Sequence, residues 1–142
     1  MNQGGSPAWI HTLNVEYSDD PAAHGGLIKL RMLQALESDG IAGMVARYHA
    51  LKAGHPTEAF GPLLIGEVAW RLFRGGQEEV GFRLFELDHA EHPQRFVAIE
   101  NLAWGSDLTG DHERAIRLAE RWGAGNPDHE SGRRLLSDLR EG

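Results

Sequence analysis

One thirty-four-residue pattern occurs twice in succession between residues 60 and 127. When residues 60–93 are laid over 94–127, ten of the thirty-four positions are identical, whereas average composition gives about two or three matches by chance. The identical pairs are Ile65/Ile99, Ala69/Ala103, Trp70/Trp104, Gly76/Gly110, Glu79/Glu113, Arg83/Arg117, Leu84/Leu118, Glu86/Glu120, Ala90/Ala124 and Pro93/Pro127. A fixed period of this length indicates stacked repeats, in which each unit buries its apolar face against the next.

Each copy has the pattern of two amphipathic helices joined by a short turn. Apolar residues recur every three or four positions, and Gly76 and Gly110 interrupt them where turns are expected. Pro93 and Pro127 end the second helix of each copy, because proline cannot continue the hydrogen-bond ladder. We predict Asp111 as the N-cap of the helix that follows it.

Weaker patterns flank the two copies. Leucines at 27, 30, 33 and 36 predict one helix, and residues 41–51 predict a second after a break at Gly40. Gly40 precedes Gly76 by 36 residues, so this pair is a degenerate first repeat. A last helix from about Asp128 has one apolar side and suits a terminal cap. We therefore predict an all-α domain over residues 21–142: three stacked antiparallel helical hairpins plus a C-terminal capping helix.

Residues 1–20 have a different character. The first seven are rich in glycine and serine, and residues 9–17 have the partial alternation of a short extended segment. We expect that segment to pack on the first repeat, with binding to another molecule as the alternative.

Composition excludes several classes of protein. The chain has no cysteine, no signal-peptide pattern and no apolar run long enough to cross a membrane. A formal charge of −7 argues against a general nucleic-acid surface, which requires a basic footprint. We expect a cytoplasmic protein with neither a membrane nor a nucleic acid as its partner.

The repeated pattern resembles the tetratricopeptide repeat, whose length is also thirty-four residues. The resemblance rests on Gly76, Gly81-Phe82, Phe85 and Pro93, and on their counterparts Gly110-Asp111, Ala115-Ile116 and Pro127. The aromatic that usually opens the repeat is replaced by Ile65 and Ile99, so the copies are divergent. More narrowly, LQALESDGIAGMVARYHALKAGHP followed by VAWRLFRGGQEEVGFRLFELDHAEHP is similar to a helical tail found after some bacterial beta-lactamase-type hydrolase domains. That similarity implies the fold of the tail and not the activity of the hydrolase.

The tetratricopeptide resemblance implies a ligand groove on the concave face, lined mainly by the first helix of each hairpin. The residues placed there are Leu30, Gln34, Gly66, Trp70, Phe73, Arg74, Glu100, Trp104, Asp107 and Leu108. Trp70 and Trp104 share one repeat position, so we expect them about 10 Å apart on one surface, where they suit an apolar or extended peptide. The alternative is that both indoles are buried between hairpins. Tetratricopeptide domains that bind a C-terminal carboxylate use Lys, Asn and Arg in this groove. Here Gly66, Trp70, Glu100 and Trp104 stand instead, so we expect that mode to be absent.

Catalytic and metal-binding patterns are weak. His89 and His92 lie three apart beside Asp88 and Glu91, which can bring two imidazoles to one ion, but the spacing matches no strong zinc motif. The chain has no Ser-x-x-Lys and no Gly-x-Ser-x-Gly. The clusters 111–113 and 128–130 each begin a predicted helix and are interpreted as caps. We predict no metal, no cofactor and no catalytic residue.

The sequence favours a non-enzymatic protein–protein interaction module that binds a peptide or protein segment. Its candidate binding residues are Trp70, Phe73, Arg74, Glu100, Trp104, Asp107 and Leu108. The alternative is a self-association module, in which residues 9–17 lie in the groove of a neighbouring chain. A metal-dependent or hydrolytic activity at His89 and His92 is the weakest of the three hypotheses.

Overall fold

A computed structural model describes residues 21–55, 60 and 63–141. Six helices follow one another: α1 Pro21–Gly54, α2 Leu64–Arg74, α3 Glu78–Glu91, α4 Phe96–Leu108, α5 His112–Gly125 and α6 Glu130–Glu141. No β-strand occurs within these residues, so the all-α prediction is confirmed. The extended segment expected at 9–17 lies outside the described residues. Contacts divide the described residues into two compact units, the first ending at Leu64 and the second beginning at Ile65.

In the first unit, α1 is two helices that meet at Gly40. This glycine has φ 76° and ψ −166°, a conformation that residues with a Cβ rarely adopt and that no helix contains. The chain folds back at this point, because Nδ1 of His24 lies 2.7 Å from Nδ1 of His55. An unbroken helix would hold residues 31 positions apart at a separation of about 46 Å. The predicted first hairpin is therefore present.

The core of this hairpin consists of side chains from both of its helices. Leu27, Ile28, Met32, Met44 and Tyr48 are fully buried. The Tyr48 ring meets Phe60 edge-on, with 5.8 Å between the ring centroids. Of the leucines at 27, 30, 33 and 36 that predicted the first helix, only Leu27 is buried, and Leu30 is exposed.

In the second unit, consecutive helices pack on one another from α3 to α6, and α6 also contacts α4. Ala103, Ala115, Ala119, Leu135 and Leu139 form a buried cluster that α4, α5 and α6 share. The last helix thus packs on apolar side chains of α4 and α5. It begins at Glu130, slightly later than predicted.

The two sequence copies have the same backbone turn between their helices. Gly76 has φ 97° and Gly110 has φ 96°, in the region that favours glycine. The next residues also match, with φ −107°, ψ 61° at Gln77 and φ −99°, ψ 66° at Asp111. Asp111 caps α5 as predicted, since its side chain accepts a hydrogen bond from the backbone N–H of Arg114.

The ends of the second helices match as closely. His92 has φ −134°, ψ 62°, and Asn126, thirty-four positions later, has φ −140°, ψ 63°. In each copy the backbone N–H three residues further on donates to this carbonyl: Arg95 to His92 at 3.0 Å and His129 to Asn126 at 3.1 Å. The sequence repeat is therefore a backbone repeat as well.

Small residues permit close helix packing at some positions only. A Cβ on Gly81 would lie 2.6 Å from the Ala69 carbonyl oxygen, and one on Gly105 would lie 2.7 Å from the Phe85 ring. A Cβ on Gly123 would meet nothing within 4 Å. Gly81 and Gly105 are therefore needed for close contact between helices. Gly123 is not, because a side chain there would meet no neighbour.

Candidate functional site

A cavity of about 460 Å³ opens among helices of the second unit. Its lining residues are Trp70, Phe73 and Arg74 of α2, Glu78 of α3, and Trp104 and Leu108 of α4. The repeat explains this convergence, because Trp70 corresponds to Trp104 and Arg74 corresponds to Leu108. The first helices of two successive hairpins thus contribute equivalent positions to one cavity.

The Trp70 indole is held in place by contacts on several sides. Its N–H donates to Oδ1 of Asn101 on α4 at 2.9 Å. Its ring meets Phe85 and Phe73 edge-on, with centroid separations of 4.7 and 5.5 Å. The ring is partly buried and still lines the cavity, so these contacts orient a surface that a ligand can touch.

Trp104, like Trp70, contacts both the protein interior and the cavity. It is partly buried and packs against the buried cluster that α4, α5 and α6 share, while it also lines the cavity. The sequence left open whether the two indoles belong to the core or to a groove. In this structure each indole contacts buried side chains and also lines the cavity.

Two charged side chains, Arg74 and Glu78, line the cavity together with these aromatic rings. The Arg74 guanidinium lies over the Trp70 ring, with its carbon 4.9 Å from the ring centroid. Glu78 at the start of α3 supplies a carboxylate to the same cavity. Among the residues that the structure describes, neither side chain takes part in an ion pair. Leu108 completes the lining and is 60% exposed.

Of the seven residues proposed from the sequence for binding, five line the cavity and two do not. Glu100 lies one helical turn before Trp104 and is partly buried, and burial raises the pKa of its carboxyl group. Asp107 is engaged elsewhere, since its Oδ1 lies 2.6 Å from Nδ1 of His112.

Other residues of the predicted groove have different environments. Gly66 is buried, and a Cβ there would lie 2.6 Å from the Asn101 side-chain nitrogen. Its small size therefore permits the approach of α4. Leu30 and Gln34 are exposed residues of the first unit.

Two residues of the site were not predicted. Asn101 could not be predicted, because its role is to accept a hydrogen bond from an indole 31 positions away, and no local pattern reveals such a pair. Glu78 has no place in the sequence-based prediction. Its place directly after the Gly76 turn is the one signal that could have indicated it, because a turn brings the next helix back beside the first.

The histidine-rich end of α3 has the strongest electrostatic perturbation. Asp88 is 1% exposed, and its Oδ2 has no hydrogen-bond partner. Burial raises the pKa of Asp88 to about 6, with Glu91 adding to this and Arg95 opposing it. Burial also lowers the pKa of His89. Within the described part of the chain, no three His, Asp or Glu side chains are grouped so as to hold a metal ion.

Fold and cavity together define an all-helical protein with an aromatic cleft between equivalent helices. No protein-family model, curated protein or solved structure matches the chain. None of the helices in the described ranges has the length and apolar character needed to cross a lipid bilayer.

Proposed function

We propose that this protein is a non-enzymatic interaction module that binds a peptide segment in the cavity lined by Trp70 and Trp104. The observation that carries the proposal is the convergence of two indoles, a phenylalanine and an exposed leucine on one cavity. Aromatic residues dominate the energetics of protein interfaces, and large apolar side chains of a partner gain most from such a surface.

The size and chemistry of the cavity suit a segment of extended chain. Its volume of about 460 Å³ falls within the usual range for ligand sites, roughly 300–1,000 Å³. Arg74 and Glu78 give it a few polar groups among apolar walls, which is the composition that fixes the orientation of a bound ligand. One or two apolar side chains of a peptide would occupy the aromatic part.

The proposal includes a tetratricopeptide-like stacking of the hairpins. It is supported by the matched turns at Gly76 and Gly110 and by the matched helix ends at His92 and Asn126. Equal units joined by equal turns place equivalent helices side by side. The cavity would then be the groove between the first helices of neighbouring repeats.

A peptide array tests this function. The protein is applied to random acetylated, amidated decapeptides, and the affinities of the bound sequences are then measured by fluorescence anisotropy. We expect Leu108→Ala to weaken binding about tenfold, since a leucine side chain that a ligand buries contributes about 1.5 kcal/mol. Leu30→Ala, which removes an exposed leucine of the first unit, serves as the matched control and should leave affinity unchanged.

Trp104→Ala provides a second probe, with thermal unfolding followed by circular dichroism because this residue also packs on the core. A folded Trp104→Ala protein that no longer binds supports the proposal. If no decapeptide binds the unaltered protein, the proposed function is wrong. If Leu108→Ala and a folded Trp104→Ala protein both bind normally, the peptide site lies elsewhere.

A further inference from the structure

The cavity lining holds one carboxylate and one guanidinium, those of Glu78 and Arg74. A second carboxylate, that of Glu100, lies one turn before Trp104 on the same face of α4. Neither carboxylate has an ion-pair partner among the described residues. The whole chain carries 21 acidic against 14 basic residues.

Glu100 is the more informative of the two. Its carboxyl group is partly buried on the face of α4 that carries Trp104, and burial raises its pKa. A carboxylate that loses water without gaining a partner is unfavourable. A ligand that brought a cation to this point would relieve that cost and gain affinity.

The Trp70 ring is already occupied by a cation. The Arg74 guanidinium carbon lies 4.9 Å from the ring centroid, inside the roughly 6 Å range in which an aromatic face attracts a cation. The protein's own arginine thus shows that the aromatic wall accepts a guanidinium group. It also means that Arg74 would repel, or compete with, a second cation in the cavity.

We infer that the occupant is a cationic peptide segment, in which an arginine or lysine lies next to an apolar side chain. This inference rests on the proposed function. The apolar side chain packs on Leu108 and Phe73, and the cation lies against the Trp104 indole near Glu100 and Glu78. Arg74 opposes this binding from its position on Trp70. An acidic segment that pairs with Arg74 is the competing occupant.

The first test is the composition of the decapeptides that the array retains. We expect arginine and lysine to be enriched beside aromatic or large aliphatic residues, and aspartate and glutamate to be depleted. Enrichment of acidic residues, or apolar selection with no preference of charge, would overturn the inference and leave the peptide-binding function intact. An array that retains nothing would remove both.

The second test uses one retained basic decapeptide and two pairs of variants with equal changes of charge. Glu100→Gln should weaken binding about fivefold, as expected for loss of a partly desolvated charge pair. Glu113→Gln, whose side chain is 91% exposed on α5, should have little effect. The affinities are measured by fluorescence anisotropy at fixed ionic strength.

Arg74→Gln gives the sharpest result, because the two occupants predict opposite signs. We expect tighter binding of the basic peptide, by about threefold, since a like charge leaves the cavity. Arg71→Gln removes an exposed arginine from the same helix and should change affinity little. Weaker binding in Arg74→Gln, or equal effects of Glu100→Gln and Glu113→Gln, would overturn the inference.

Discussion

Single residues carry the clearest departures from ideal packing, and two of them share one repeat position. Asp88 and Trp122 lie thirty-four residues apart, and each has a buried polar atom without a hydrogen-bond partner. Trp122 fills its site with an indole that contacts Phe96 and His129. Asp88 places a carboxyl group at the equivalent point. This position therefore tolerates very different side chains at a cost in hydrogen bonding.

Asp88 should make stability depend on pH. Its pKa is about 6 in the folded protein against 3.8 as the ordinary value, so folding favours the neutral acid. The stabilisation is complete below about pH 3.8 and is lost as pH rises through about 6. We expect Asp88→Asn to gain stability relative to the unaltered protein between pH 4 and pH 7, by about 2 kcal/mol. Urea unfolding at both pH values measures this, and a difference that does not change with pH would contradict it.

The two kinds of helical glycine predict opposite effects of the same substitution. Gly123→Ala should stabilise the protein by about 0.5–1 kcal/mol, because alanine favours a helix and its Cβ meets nothing. Gly81→Ala should destabilise it by about 1–3 kcal/mol, because the new Cβ would press on the Ala69 carbonyl and Phe73. Thermal unfolding by circular dichroism compares the two. A Gly81→Ala protein as stable as Gly123→Ala would show that α2 and α3 separate readily.

Among the helices, the caps show where equivalent elements differ. The Asp111 side chain caps α5, whereas Gln77, with nearly the same backbone angles, makes no side-chain cap on α3. Because Gln77 stands where the other copy has Asp111, the turn before α3 lacks one capping hydrogen bond, although its backbone angles are nearly the same.

Gln77→Asp should transfer the cap from one repeat to the other. We expect a gain of about 1 kcal/mol in the free energy of unfolding, the usual size of an N-cap effect. Asp111→Ala should lose a similar amount, and the two variants form a matched pair in urea unfolding. No gain in Gln77→Asp would mean that Glu78 and Glu79 repel the new carboxylate enough to cancel the cap.

Helices and turns could be predicted because their signals are local. The turns at Gly76 and Gly110 and the break at Gly40 each need a positive φ, and glycine marks them in the sequence. The Asn101 bond to Trp70 joins residues on different helices, and the sequence contains nothing that pairs them. Five of the seven residues that the tetratricopeptide resemblance implied line the cavity, but the resemblance could not give the direction of Asp107, which turns to His112.

For the molecule as a whole, the net charge affects the rate at which a charged peptide associates. A chain with a formal charge of −7 attracts cationic segments over distances of about 10 Å in 0.1 M salt and about 3 Å in 1 M salt. We expect the association rate of a basic decapeptide to fall about tenfold between 0.05 and 0.5 M sodium chloride. Stopped-flow fluorescence measures this rate, with an uncharged copy of the peptide as the control. A rate that rises with salt would indicate apolar attraction alone.

The matched angles at Gly76 and Gly110 have a consequence for the length of the protein. A chain whose junctions are interchangeable can be extended by copying residues 94–127 and inserting the copy after Pro127. The new junctions would repeat the existing ones in backbone geometry, since the carbonyls of His92 and Asn126 already accept equivalent bonds. If the proposed stacking and peptide binding hold, the lengthened protein would place a third indole beside the present two and accept a longer peptide.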